Sequence, residues 1–484
     1  MRPLTAATCG RQLTSHPRQR EHPDVGWAGR AVSNSSGGRA GAKRREKLPP
    51  RPQARRARVC APIIRKQTGE PHENRETLVR SHAAHRHRLR LDGRAVDPFG
   101  KRFSRPSDRH KPFPHDDEEE SDGDGAKRFG RRLRGLGSEE RRLFREGREA
   151  FEEEEDAADG LGPIFNHVGC AACHFAPAVG GSSGINETRA ARVVSGVYTE
   201  LPGGSLFQSD AIDPDCRENI PPEANVIAQR QTQPLFGSGL IEAIPDEQIE
   251  AYAALQSRAF PEQAGRVNHI VDPASRMTRV GRFGWKAQQA SLLAFSADAY
   301  VNEMGITSRL FPEENAPNGD QTKLAACDAV RDPEDLNDDI TLFTNFMRLL
   351  APPPRSDMPW KERGRRVFER VGCAVCHRAG SGGFTAESES AALNGRRVDA
   401  LSDFLLHDVG TGDGIVQGDA QGNELRTAPL WGLSASAPYL HDGSAATIGE
   451  AILRHGNQGA AAQAAFQALS YGERQALLEF LDSI

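Results

Sequence analysis

Val168-Gly169-Cys170-Ala171-Ala172-Cys173-His174 recurs 203 positions later as Val371-Gly372-Cys373-Ala374-Val375-Cys376-His377. Each copy follows the same short phrase, Gly147-Arg148-Glu149-Ala150-Phe151 in the first case, with an insertion before the cysteines, and Gly364-Arg365-Arg366-Val367-Phe368 in the second. Two thiols three positions apart reach the two vinyl groups of one haem, and the adjacent histidine is then held under the iron. A zinc site would set its paired Cys-x-x-Cys elements about 15–20 residues apart, and a thioredoxin-type pair needs a βαβ setting. Neither describes two motifs so far apart that each end a helix. The pattern therefore predicts two covalently bound haem c groups. Cys170, Cys173, Cys373 and Cys376 would hold them, with His174 and His377 as iron ligands.

Around each motif the periodicity is helical. Leu143, Phe144, Gly147 and Phe151 make one apolar stripe on a charged rod, and Val367, Phe368 and Val371 repeat it. Long stretches rich in Gly, Pro, Asn and Asp follow each motif, and then a closing helix. The first is expected over 246–255 behind Pro245; the last is announced by a Ser470/Glu473 capping box, with Ala476, Leu477, Phe480 and Leu481 as its buried face. The predicted fold is mainly α: two cytochrome c-like domains with long irregular loops, 137–355 and 356–484, preceded by a disordered segment, 1–136.

Charge sets that segment apart. The chain has 484 residues and a formal charge of −4, yet residues 1–115 hold 27 Lys+Arg against 9 Asp+Glu and 8 of the 15 His. With few clustered apolar residues, such a stretch cannot offset its ordering entropy. It reads either as a basic arm for an anionic partner or as a stretch ahead of the true start, and an arm for nucleic acid would interleave aromatics, which this one does not. An acidic run, Asp116 to Asp124, links it to the body. No run of 18 apolar residues is present, so no membrane-spanning helix is expected, and the start lacks the apolar core of a signal peptide. Haem attachment to thiols nevertheless places the protein on the oxidising side of a membrane, in the periplasm, where Cys216 and Cys327 could pair or remain two core thiols. Cys9 and Cys60 lie in the arm.

What fills the sixth position of each iron decides function. Outside the motifs the body offers His167, His269, His407, His441 and His455, and Met277, Met304, Met347 and Met358. His455 is the choice for the second haem: it follows a short helix that Thr447 and Glu450 can cap, and Gly456 supplies a chain reversal. A surface histidine at a helix C-terminus is the plainer reading. His441 reads as a supporting residue beside Asp442. For the first haem Met304 and His269 are candidates, each also readable as core or loop.

Further segments join these residues: GLGPIFNHVGCAACH (160–174), PLFGSGLIEAIPD (234–246), GRFGWKAQQASL (281–292), EMGITS (303–308), FMRLLAPPP (346–354), FLLHDVG (404–410), RTAPLWGL (426–433) and PYLHDGSAATIGEAILRHG (438–456). On these, residues 137–484 resemble the di-haem oxidoreductases of peroxidase type, formerly called thiol oxidoreductases and related to bacterial di-haem cytochrome c peroxidases. In the wider group the position matching His455 supplies the distal ligand, commonly Met; His there would lower the haem potential. Family members usually begin with an export signal, which bears on the start of this chain and not on its fold. The resemblance implies an oxidoreductase that passes electrons from a small donor, a cytochrome or cupredoxin, through the C-terminal haem to an N-terminal haem that meets peroxide. Peroxide cleavage needs an acid/base near the open iron. Glu242 is the choice, Glu247 the alternative, and helix capping the plain role of either. Trp285 is the candidate relay between haems, with a core Trp as its plain reading. The competing functions are an electron-transfer cytochrome with both irons six-coordinate, and a binding or maturation factor using the basic arm.

Overall fold

The computed structural model describes residues 129–355, 361–378 and 383–484, all within one compact unit, Lys111–Ile484. The basic arm, the acidic run, Cys9, Cys60 and Met358 lie outside the described residues. Helix α1 (Ser138–Phe151) forms as its stripe predicts: Phe144, Gly147 and Phe151 are buried, while Arg142 pairs with Glu139 and Glu146 on the solvent side. The body begins earlier than Gly137. Leu133 is buried, and its N–H donates to Leu349 O at 2.8 Å.

The segments read as irregular contain paired strands, so the fold is mixed helix and strand rather than mainly α. β1 (Ile164–Phe165) precedes α2 (Cys170–Cys173), the single turn carrying the first motif. β2 (Asn186–Val194) is the centre of an antiparallel sheet with β3 (Val197–Thr199), β4 (Leu206–Phe207) and, after β5 (Asp210–Ala211), β6 (Val226–Gln231). Its register sets Asn186 opposite Gln231 and Ala191 opposite Val226. Charged side chains hid this sheet from a hydrophobicity reading: Glu187 and Arg189 on β2 pair with each other at 2.7 Å, and Arg230 of β6 lies 3.7 Å from Glu187. Smaller pairs are β1–β5, β7 (His269–Val271) with β8 (Thr278–Val280), β9 (Phe384–Thr385) with β10 (Arg397–Val398), and β11 (Leu406–His407) with β12 (Leu425–Arg426).

The helices that follow are α3 (Ser238–Glu242), α4 (Asp246–Ala259, longer than predicted), α5 (Leu292–Glu303), α6 (Gln321–Cys327) and α7 (Asp339–Leu349). The second half adds α8 (Lys361–Arg370), α9 (Ile448–Leu453), α10 (Ala460–Gln467) and α11 (Tyr471–Leu481). The repeated Gly-x-x-x-Phe phrase has a packing cause. A Cβ on Gly147 would sit 2.3 Å from Leu342 O of α7, and one on Gly364 would sit 2.0 Å from Ala476 O of α11. Each glycine lets a second helix cross at backbone contact, and the phenylalanine one turn on then meets a ring of that helix: Phe151 with Phe346 at 5.0 Å, Phe368 with Phe480 at 5.5 Å. The predicted capping boxes close α9 and α11.

Two main cores hold the described residues together. Phe384, Phe404, Leu405 and Trp431 join the core built on α1, α5 and α7, whereas Val367, Phe368, Leu477, Phe480 and Leu481 form a second core of their own. Cys216 and Cys327 are joined in a disulfide. No described helix is long and apolar enough to cross a membrane.

Candidate haem-binding sites

Three imidazoles share one arrangement. His174 Nδ1 lies 2.9 Å from Gly181 O, His377 Nδ1 3.0 Å from Leu401 O and His455 Nδ1 2.8 Å from Ala451 O. A carbonyl oxygen only accepts, so in each ring Nδ1 carries the proton; at His377 and His455 Nε2 keeps its lone pair, whereas the Gln233 backbone also acts on the His174 ring. This is how a metal-ligating histidine is commonly held. Burial lowers the pKa of all three, that of His377 to about 4 with His455 adding to the effect, so the rings are neutral. Two of the three directly follow the cysteine pairs, on short turns at the ends of α2 and of the segment after α8.

His377 and His455 line one large, mostly apolar cavity together with Cys373 and Cys376. His407 lines it too, in the opposite pose. Its Nε2–H donates to Asp403 at 2.9 Å, and its Nδ1 lies 3.7 Å from Cys376 Sγ. Burial disfavours its charge, but fully buried Asp403 prevails and raises the His407 pKa to about 10. Tied at Nε2, His407 is no rival to His455. His441 is also buried, with Nδ1 unpartnered, and its ring meets Trp285 edge-on at 6.3 Å. Trp285 lines the same cavity and donates its indole N–H to Gln231 O at 2.9 Å.

The four motif thiols are unpaired, and burial raises their pKa values, to about 12 at Cys170 and Cys373 and about 11 at Cys173. Such thiols are poor redox nucleophiles. Among the described residues no further ligating side chains gather around Cys170, Cys173 or Cys373 as zinc would require. Half-buried, protonated thiols beside a neutral histidine suit a macrocycle held by thioethers, and at the second motif the apolar cavity adds room for its apolar ring, so the residues fit haem.

The first motif is flanked by carboxylates that the sequence did not single out. Burial raises Glu155 to about 7, and its Oε1 accepts from Tyr300 OH at 3.1 Å; its charge is felt at Cys170. Glu303, whose charge is felt at Cys173, is raised to about 7 by burial and by Glu187, and accepts from Asn166 at 2.7 Å. The signal was within reach: Glu303 stands in the quoted EMGITS segment, next to the methionine that drew attention instead.

Several expected site residues are engaged in other contacts. Both oxygens of Glu242 are taken, by Arg348 at 2.6 and 3.0 Å and by the Leu292 N–H at 2.8 Å, so it ties α3 to α5 and α7 and is no free acid/base. Glu247 is exposed in the first turn of α4. Met304 is packed in the core at the end of α5, among apolar side chains that include Tyr300 and Ile306. His269 is exposed and bonds Glu250 at 2.9 Å.

Residues 209–484 match the family described as "Di-haem oxidoreductase, putative peroxidase". The chain belongs to this family. The match includes the second motif and His455; the first motif lies before it. No curated protein matches the chain. Among solved structures, the Kuenenia stuttgartiensis hydrazine synthase is 17% identical over 73% of this chain and 90% of that one, with a TM-score of 0.35. A MauG-like protein associated with microbial copper homeostasis is 18% identical over 51% and 88%, at 0.26. A variant of the Burkholderia thailandensis diheme peroxidase BthA is 13% identical over 70% and 85%, at 0.31. These likenesses are too distant to carry an argument about this chain.

Proposed function

We propose that this di-haem oxidoreductase family member is a c-type, peroxidase-like enzyme with inequivalent haem sites. The observation that supports it most is the pairing of imidazoles: His377 and a second carbonyl-held imidazole, His455, line one cavity, whereas Met304 is packed in the apolar core and His269 is exposed and bonded to Glu250. Haem at the two motifs would supply redox iron, six-coordinate at the second site for electron relay and open at the first for a small oxidant such as peroxide. Cys170, Cys173, Cys373 and Cys376 would hold the cofactors as thioethers, and His174, His377 and His455 would be the iron ligands. Trp285, fixed by Gln231 and His441, lines the relay side of the path. The acid/base role passes from Glu242 to Glu303, whose carboxyl burial raises to about 7 and whose charge is felt at Cys173. A small redox protein, a cytochrome or cupredoxin, is the electron donor. The Cys216–Cys327 disulfide favours the periplasm as the location.

A pyridine haemochrome assay on purified protein should give two c-type haems per chain, and added peroxide should change the spectrum of one of them. Peroxide without effect on either spectrum would instead favour the electron-transfer cytochrome with both irons six-coordinate.

A further inference from the structure

Four cationic side chains, Arg230, Arg282, Lys286 and Arg426, are each at most 5% exposed. A buried cation is costly unless an anion answers it. Three have one: Arg230 and Lys286 share Asp413 at 2.7 and 2.9 Å, and Arg282 pairs with Asp246. Arg426, on β12, has none among the described residues. Its Nε–H donates to Gly284 O at 2.8 Å and its Nη1–H to Thr427 O at 3.0 Å, both neutral carbonyls, and among the described residues no hydrogen bond reaches Nη2. The acid whose charge it feels is Asp403, already bonded by His407, Gln256 and the Leu405 N–H. Burial accordingly pulls the Arg426 pKa down to about 10.

Arg426 also lines the cavity that holds Cys373, Cys376, His377 and His455. We propose that Arg426 anchors a carboxylate there, and that this carboxylate is a propionate of the haem at the second motif. The inference rests on the haem assignment above and adds the missing counter-charge. A guanidinium offers a planar fork to a carboxylate, and a macrocycle tethered at Cys373 and Cys376 brings its carboxylates to the site without the entropy cost of a free anion.

The test uses the holoprotein. Haemochrome counts on wild type, Arg426→Gln and Arg426→Lys come first: a wild type lacking haem at the second motif defeats the haem assignment itself. With haem present, optical redox titration reads this proposal separately. A fixed cation disfavours the ferric charge, so Arg426→Gln should lower the second-haem potential at pH 8, with a ferrous-to-ferric ratio down about tenfold at a given poise, about 59 mV for a one-electron couple. The difference should close as pH falls and the unanchored propionate takes up a proton. Arg426→Lys should retain most of the wild-type potential, and the first haem should be unmoved. A Gln variant with full haem and wild-type potentials overturns the proposal. A further reading needs no variant: formate titrated into wild type should leave the second potential alone, whereas a saturable shift would show an exchangeable anion in the fork and overturn the propionate assignment.

Discussion

His455 shows how a single ring is prepared. Its Nδ1 is bonded to Ala451 O one turn back, and burial keeps it neutral, so the side chain arrives with a free lone pair. Replacing His455 with Ala should convert the second iron from low-spin to high-spin without releasing the covalent haem, and replacing it with Met should keep six ligands and raise the potential. Absorption or magnetic circular dichroism spectra check both; unchanged spectra in the Ala variant would pass the assignment to His441. Glu242 makes the contrary case. Glu242→Gln should leave peroxide reactivity near wild type while lowering stability by about 1–3 kcal/mol, since it breaks a bidentate ion pair whose Arg348 partner is partly exposed. Denaturant melts and peroxide titration together test this. A loss of peroxide reactivity with stability intact would return Glu242 to the chemistry. Its position in the sequence could not show that Arg348, more than a hundred residues on, occupies both oxygens.

At the level of elements, the Gly-x-x-x-Phe phrase couples a motif-bearing segment to the helix that crosses it. Gly147→Ala and Gly364→Ala each push a Cβ against backbone rather than against a movable side chain. Helix propensity alone would favour Ala by about 1 kcal/mol. Overpacking at the crossing should outweigh it, for a net loss of about 1–3 kcal/mol in each variant. A gain in thermal midpoint would refute the crossing argument. The apolar stripes of α1 and α11 were legible because helical periodicity reports burial directly. β2 and β6 were not, because their partly buried face carries Glu187, Arg189 and Arg230, which read as solvent-facing until the strands bring them into register.

Across the whole molecule, a covalent link and an acidic cluster act on the segment between the two motifs. The Cys216–Cys327 bridge spans 111 residues, so replacing both cysteines with Ser should cost about 5 kcal/mol in the chain-entropy picture. Haem spectra should stay as they are, since neither sulfur lies at a motif. Between these cysteines Glu314 lies close to Asp332 and Glu334, and burial, then Glu334 and Asp332, raise its pKa to about 9. A carboxyl whose folded pKa lies above its unfolded value of 4.5 favours folding most below pH 4.5, and this contribution falls as pH rises toward 9. Glu314→Gln, which keeps a neutral amide there, should therefore raise the melting temperature at pH 8 and do little at pH 4. An equal effect at both pH values would mean that Glu314 is not held protonated.

The sequence by itself determined what depends on neighbours along the chain. Two thiols and a histidine within five residues, a glycine and phenylalanine one helical turn apart, and a Ser or Thr three residues before a Glu are local devices, and each is present as written. Only the tertiary structure decided which distant groups meet. It set His455 and His377 on one cavity, gave Glu242 the Arg348 partner, drew Met304 into the core and left Arg426 buried without an anion among the described residues. The physical reason is the same in each case. Whether a charged or ligating side chain is free or spent depends on partners that the chain brings together from a hundred or more residues away, and no periodicity along the sequence records those distances.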